Sequence, residues 1–248
     1  MNAKTVFISG GTSGIGLATA EILLAQGWQA AICGRSEERG HRALQYLSQK
    51  GYTALYIAGD VSRDSDCQQM MTETIHHFGQ LNGLVTSAGY YEEELLENTT
   101  PQQVEQLFAV NVYGTISLCR YALPYLKKSH GSIVTVSSDA GLQGNIACSI
   151  YGAAKGAIVA FTKSLALETA PHQVRVNCVC PGDVDTPLLE KQLQADPTLT
   201  RQALQEHYPL YRLAKPEEIG NSIAFLLSDA ASFITAAALP VDGGLTSW

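Results

Sequence analysis

The chain is poor in charge. Only 16% of its 248 residues are Asp, Glu, Lys or Arg, and no basic run occurs anywhere. Together with a formal net charge of −7, this argues against nucleic acid or an anionic membrane as the main partner. No apolar stretch approaches the ~20 residues a bilayer span needs, so no membrane is expected. The opening "MNAKTVFISGG" enters an apolar strand-like run directly, which predicts no signal peptide. Also absent is any C-x-x-C pair. The six cysteines, Cys33, Cys67, Cys119, Cys148, Cys178 and Cys180, are scattered, as in a reduced cytoplasmic protein that uses thiols as small core side chains. No His, Cys, Asp or Glu cluster has metal-ligand spacing, so no metal is expected. Linkers, repeats and low-complexity tracts are missing too, so residues 1–248 read as a single domain.

What the chain does have is rhythm. Apolar runs of strand length recur as "TVFIS", "QAAIC", "ALYIA", "NGLVTS", "SIVTVSS", "RVNCVC" and "AALPVD". Helical segments separate most of them, among them "GLATAEILLAQGW", "CQQMMTETIHHF" and the long "PQQVEQLFAVNVYGTISLCRYALPYL". The last opens with Thr100, Pro101 and Gln103, an N-cap, first-turn proline and capping-box set. Strands that are apolar throughout, alternating with helices, predict an α/β fold: one doubly wound parallel sheet of about seven strands, a Rossmann fold with helices on both faces. The stretch at 188–214 is longer than a simple connection needs, and residues 183–212 are expected to form a substrate lid.

The first strand runs into "SGGTSGIG", with Gly10, Gly14 and Gly16 just before the first helix. A tight turn, close approach to a pyrophosphate and close helix–strand packing each select glycine there, and the helix N-terminus offers free N–H groups to phosphate. Dinucleotide binding is therefore expected. At the end of the second strand Gly34 stands where a carboxylate would hold a ribose 2′-hydroxyl, and Arg35 follows. A guanidinium matches a 2′-phosphate bidentately, which favours NADP(H), with NAD(H) as the alternative.

Further along, "VSSDAG" closes an apolar run and "SIYGAAKGA" follows, with Tyr151 and Lys155 on one helical face. Each piece alone is ordinary: Tyr–Lys pairs are common on solvated helices, and serine pairs are usually turn chemistry. In order, behind a dinucleotide turn, they form a constellation. The chain resembles the classical short-chain dehydrogenase/reductase family essentially end to end. The resemblance implies that Gly10, Thr12, Ser13, Gly14, Ile15 and Gly16 form the cofactor turn, and that Asp60 and Val61 of "GDV" lie at the adenine. By the same resemblance Ala88 and Gly89 approach the cofactor, while Pro181, Gly182, Val184 and Thr186 of "PGDVDTP" hold the nicotinamide end. Asn111 of "NVYG" matches the family's active-site asparagine. Ser138, at the family's spacing before Tyr151, is implied as the catalytic serine in place of Ser137. Two departures stand out: "TSAG" (Thr86 to Gly89) replaces the usual N-N-A-G, and Ser9 replaces a usual threonine.

The chemistry explains the residue types. Tyr151 is the candidate acid–base group, but an ordinary phenol titrates near ~10. The charge of Lys155, with that of an oxidised nicotinamide, is expected to favour phenolate, and Lys155 by resemblance also bonds the cofactor ribose. Ser138 is expected to hold the substrate oxygen, and Asn111 to keep water near Lys155. His76 and His77 suit a helix C-terminus; His207, with Tyr208 and Tyr211, falls in the expected lid.

The expected activity is interconversion of a secondary alcohol and a ketone. The expected lining, Tyr90, Leu142, Gln143, Ile146, Leu188 and Leu189, is largely apolar. It suits a hydroxysteroid, a small or cyclic ketone or an acyl thioester, and polyols less. A β-ketoacyl thioester reductase is the alternative enzyme, and a non-catalytic dinucleotide sensor or scaffold the alternative of another class. By family analogy the chain is expected to form a homotetramer.

Overall fold

A computed structural model describes residues 3–195 and 198–247. Seven parallel strands form one sheet in the order β3-β2-β1-β4-β5-β6-β7. They are β1 (Thr5–Ser9), β2 (Gln29–Gly34), β3 (Leu55–Ala58), β4 (Gly83–Thr86), β5 (Ser132–Val136), β6 (Arg175–Pro181) and β7 (Ala238–Val241). β1 and β4 are buried throughout, and β6 from its second residue on, as a sheet covered on both faces requires.

The helices are α1 (Gly14–Ala25), α2 (Glu37–Gln49), α3 (Asp64–Phe78), α4 (Pro101–Phe108), α5 (Gly114–Ser129), α6 (Ser149–Thr169), α7 (Pro187–Ala195), α8 (Arg201–Glu206) and α9 (Pro216–Leu227). On one face Ala20 and Leu23 of α1, Leu47 of α2 and Ile219 and Ile223 of α9 pack on Val6, Ile8 and Ile32. On the other, Met70 and Met71 of α3, Leu118 and Leu126 of α5 and Leu165 of α6 pack on Phe7, Leu84 and Ile133. The strand order reverses between β1 and β4, which opens a crevice beyond their carboxyl ends.

The long helix expected from Pro101 onward is two helices joined by a π turn at Ala109–Tyr113. The capping box is present: Gln103 N–H donates to the Thr100 hydroxyl, and the Gln103 side chain accepts from Thr100 N–H. The interruption has a side-chain cause. Asn111 sits in the π turn, and its Nδ2 donates to the Tyr90 carbonyl at 2.7 Å while its Oδ1 accepts from Tyr90 N–H at 2.8 Å. π turns of this kind cluster at functional sites.

Residues 183–212 hold α7 and α8, with Leu189, Leu204, Tyr208 and Leu213 forming a small apolar cluster of their own. Asp196 and Pro197 of that span lie outside the described residues. Arg201 bridges Asp185 and Glu190, and Arg212 bridges Glu218. His76 and His77 close α3 just before Gly79, whose φ of 74° is the left-handed conformation that suits a helix C-terminus.

Candidate active site

The glycine turn at the end of β1 is built without room for side chains. A Cβ on Gly10, whose φ is +66°, would meet the Ala88 amide nitrogen at 2.8 Å, and one on Gly16 would strike the Gly10 carbonyl. The Ser9 hydroxyl accepts from Ala88 N–H at 3.2 Å, which ties the turn to the end of β4 and keeps the role of the usual threonine. Ser13 caps α1 with no side-chain hydrogen bond, and the first turn of α1 carries no acidic residue. Its N–H groups and positive dipole end therefore face the crevice unclaimed, ready for an anion. Thr186, from the loop after β6, lies where a Cβ on Gly14 would meet it at 3.1 Å, so the two cofactor segments expected from sequence come together.

At the end of β2, Gly34 lies against Thr12, which a Cβ would meet at 2.9 Å. Arg35 is exposed, and its side chain makes no ion pair or hydrogen bond among the described residues. Asp60 accepts from the Ser62 N–H and hydroxyl with its Oδ1, while the carbonyl of buried Val61 accepts from the Cys67 thiol at the start of α3. Pro181 and Val184 are buried, and Gly182 lies against the Tyr208 ring, leaving no space for a Cβ. Ile15 is partly buried on the α9 side. These residues fit a dinucleotide: an uncapped helix N-terminus, glycines at close approach, no carboxylate at the second strand's end and a free guanidinium.

Beyond β5, the two serines of "VSS" take different directions. The Ser137 hydroxyl donates to the Lys155 carbonyl at 2.8 Å and is buried. Ser138 turns toward the Tyr151 phenol, and its own hydroxyl donates to Asp139 Oδ1 at 2.7 Å. Tyr151 and Lys155 lie on α6 as the spacing predicts, both buried. Lys155 Nζ donates to the Val136 carbonyl at 3.1 Å and stands 5.6 Å from the Tyr151 ring centroid. Gly89 leaves the space between Asn111 and Lys155 open: a Cβ there would lie 3.5 Å from Asn111 Oδ1 and 3.8 Å from Lys155 Nζ. Asn111 faces the same space as Lys155 across Gly89. Its amide is engaged at both ends by the Tyr90 backbone, so the side chain anchors the segment after β4.

Burial sets the electrostatics of the cofactor-free site. Burial pushes the Tyr151 phenol up from its ordinary value; the Ser138 hydroxyl opposes this, while Asp139 and Asp183 add to it. Burial lowers Lys155 to about 8. In the chain without cofactor, burial therefore leaves Tyr151 less acidic than a free phenol.

The expected lining residues take different places. Leu142, Ile146 and Leu188 are exposed, and Leu189 is buried in the α7–α8 cluster. Tyr151 packs in an apolar cluster with Leu107, Val112, Ala140, Cys148 and Ala154, and polar groups stand at its edge. Tyr91 packs edge-on against its ring at 4.8 Å between centroids, and the Tyr91 hydroxyl donates to Glu93 at 2.8 Å and lies 3.4 Å from the Cys148 sulfur. Glu92 and Gln103 line a pocket beside Tyr151, with Gln103 Nε2 donating to Glu92 Oε1 at 2.5 Å. Asp183 is raised by burial, against the Tyr208 hydroxyl, which accepts from Asp183 N–H. His207 also lowers Asp183, although its own side chain is exposed.

Asp139, Asp183 and Tyr91 thus belong to the site, and sequence reasoning passed over them. Their signal was position: Asp139 follows Ser138 directly, and Asp183 follows the "PG" of the sixth strand. The cysteines are buried free thiols, as expected, with Cys178 and Cys180 sulfurs 3.9 Å apart beneath α6. Among the described residues no group of three His, Cys, Asp or Glu could hold a metal, and no helix is long and apolar enough to cross a membrane.

Comparison with known proteins agrees across the whole chain. A sequence family described as "Enoyl-(Acyl carrier protein) reductase" matches residues 10–246. An L-fucose dehydrogenase of Mus musculus is 39% identical over 247 residues, covering 98% of this chain and 88% of that protein. Among solved structures, an actinorhodin polyketide ketoreductase with NADPH superposes with a TM-score of 0.95 at 28% identity, covering 99% of this chain and 98% of the other. ElxO with NADP bound superposes with a TM-score of 0.93 at 28% identity and full coverage of both chains.

Proposed function

The chain belongs to the classical short-chain dehydrogenase/reductase family and is an oxidoreductase of CH–OH groups; we propose that it oxidises a secondary hydroxyl of a small, cyclic, hydroxylated substrate with NADP(H) as cofactor. The observation that carries this is the convergence of Ser138 and Tyr151 at the carboxyl edge of the sheet, with the polar groups of Asp139, Glu92 and Gln103 beside them. The L-fucose dehydrogenase relative points the same way, and L-fucose is the first compound to test.

Bound, the nicotinamide supplies or accepts the hydride. The chain's own residues handle the proton. Ser138 holds the carbinol oxygen by turning its hydroxyl proton from Asp139 Oδ1 to it, and Tyr151 takes the carbinol proton on oxidation or returns it on reduction. Lys155 is one helical turn from Tyr151 and buried, so its charge acts through a low dielectric. Because burial alone raises Tyr151, the phenolate depends on added positive charge, which the oxidised cofactor brings. Asn111 and Gly89 keep the space beside Lys155 open for water. Arg35 pairs with the 2′-phosphate, supported by its freedom from internal partners and by the NADP-bound relatives. Thr12, Ser13 and the N–H groups of Gly14, Ile15 and Gly16 cradle the pyrophosphate.

The α7–α8 segment serves as the lid over this site, tied to it where Asp183 meets Tyr208. Exposed Ile116 on α5 and Leu167 on α6 support a homo-oligomer built on these helices, which light scattering tests. A β-ketoacyl thioester reductase is the second reading, favoured by the likeness to the polyketide ketoreductase. Against it, the carboxylates at Glu92, Glu93 and Glu94 would repel an acidic carrier.

Reduced-nicotinamide absorbance with L-fucose, other sugars, cyclic alcohols, hydroxysteroids and a β-ketoacyl thioester tests the proposal. Turnover of a sugar or cyclic diol that vanishes in Tyr151→Phe is expected. Turnover of the thioester alone would transfer the assignment to the second reading. Cofactor binding without turnover on any member would overturn both.

A further inference from the structure

Asp139 is a cost that the hydride reaction does not explain. It raises the phenol that must ionise, and it is itself 9% exposed. Yet it is firmly built in. Its Oδ1 accepts from the Ser138 hydroxyl at 2.7 Å and its Oδ2 from Asn145 Nδ2 at 3.0 Å. The following loop winds around its carbonyl, which accepts from Leu142 N–H at 2.7 Å and Gln143 N–H at 3.0 Å. It acts electrostatically on Tyr151, Cys148, Asp183 and Tyr208, groups from α6, its N-cap, the loop after β6 and the segment after α8. Its bond to the Ser138 hydroxyl at 2.7 Å puts this carboxylate next to the group read as holding the carbinol oxygen.

A carboxylate oxygen has about two acceptor positions, so each oxygen of Asp139 keeps one beyond its present bond. An apolar substrate would desolvate these without replacing water. A hydroxyl on the carbon next to the carbinol would fill one. Gauche vicinal oxygens lie about one hydrogen-bond length apart, the same spacing as Ser138 Oγ and Asp139 Oδ1 at 2.7 Å. One oxygen of such a diol then meets Ser138 and the other Asp139.

We propose that Asp139 is a specificity-determining residue that accepts a hydrogen bond from the hydroxyl vicinal to the reacting carbinol, so that the site selects gauche vicinal diols over mono-alcohols. This rests on the reading of Ser138 and Tyr151 as the site of alcohol oxidation.

The test compares kcat/KM for cis-1,2-cyclohexanediol and cyclohexanol in the wild type, Asp139→Asn and Asp139→Leu, with oxidised cofactor. The wild type is expected to prefer the diol by on the order of 10- to 100-fold, the worth of a hydrogen bond to a charged acceptor. In Asp139→Leu the ratio collapses toward about 1, whatever loss the two substrates share through Ser138, and Asp139→Asn falls between. A wild type without diol preference overturns the proposal even if neither variant folds, and so does a ratio unchanged in the variants. Should no alcohol be turned over at all, the oxidation reading fails. Thermal protection of the cofactor-loaded wild type by the diol but not by cyclohexanol then decides the Asp139 proposal separately, and equal or absent protection overturns it.

Discussion

Replacing Lys155 by methionine should stabilise the cofactor-free protein near neutral pH, by an amount that shrinks as pH rises. The ammonium is buried, with the Val136 carbonyl at 3.1 Å as its hydrogen-bond acceptor and no carboxylate in an ion pair with it. Burial lowers its pKa from 10.5 to about 8. Between those values the folded chain binds fewer protons than the unfolded one, so folding is penalised fully below pH 8 and the penalty fades as pH approaches 10.5. Its size is about 3 kcal/mol at pH 7 and about 1 kcal/mol at pH 9.5. Methionine fills a similar volume without the charge, while the lost hydrogen bond to Val136 offsets about 1 kcal/mol. Lys155→Met should therefore gain about 2 kcal/mol at pH 7 and almost nothing at pH 9.5. Urea unfolding of both proteins across that range measures the difference, which cancels every other titrating group. A difference constant with pH would refute the reasoning, because it would mean that Lys155 titrates alike in both states. Activity should be lost in the same variant, the cost of a charge kept for chemistry.

Other residues give independent tests. Tyr151 should still be phenol above pH 10 in the cofactor-free protein, with Asp139→Asn bringing its titration down; a carbon-13 label at the ring carbon bearing oxygen reads this, and titration at or below the ordinary 10 would contradict it. Arg35→Ala should raise KM for NADP(H) about 10- to 100-fold and leave NAD(H) nearly unchanged, as loss of a charge-assisted pair predicts. Thr86 Oγ1 is buried without a hydrogen-bond partner among the described residues. Thr86→Val should therefore stabilise by about 1 kcal/mol, a rise in Tm of about 2–4 °C; calorimetry showing a loss instead would mean that something bonds that hydroxyl.

Much of the fold was legible because its determinants are local. A strand buried on both faces must be apolar throughout, and β1, β4 and β6 read that way in the sequence. Thr100, Pro101 and Gln103 announced the start of α4 because capping is settled within one turn. The break at Ala109–Tyr113 was not legible, since it follows from Asn111 reaching Tyr90, a residue distant in sequence. The place of Leu189 was hidden for a similar reason: it read as lining, but folding buries it in the α7–α8 cluster against Leu204, Tyr208 and Leu213.

The sequence by itself determined the glycine turn at the end of the first strand and the spacing that puts Tyr151 and Lys155 on one helical face. Helical periodicity and steric exclusion act within a few residues, so both survive without knowledge of the rest. The tertiary structure decided the proton chemistry. β5 and β6 pair side by side, and only that pairing brings Asp139 and Asp183, far apart in the chain, to the same tyrosine. Burial and Coulomb interaction depend on distance through space, which the order of residues does not contain.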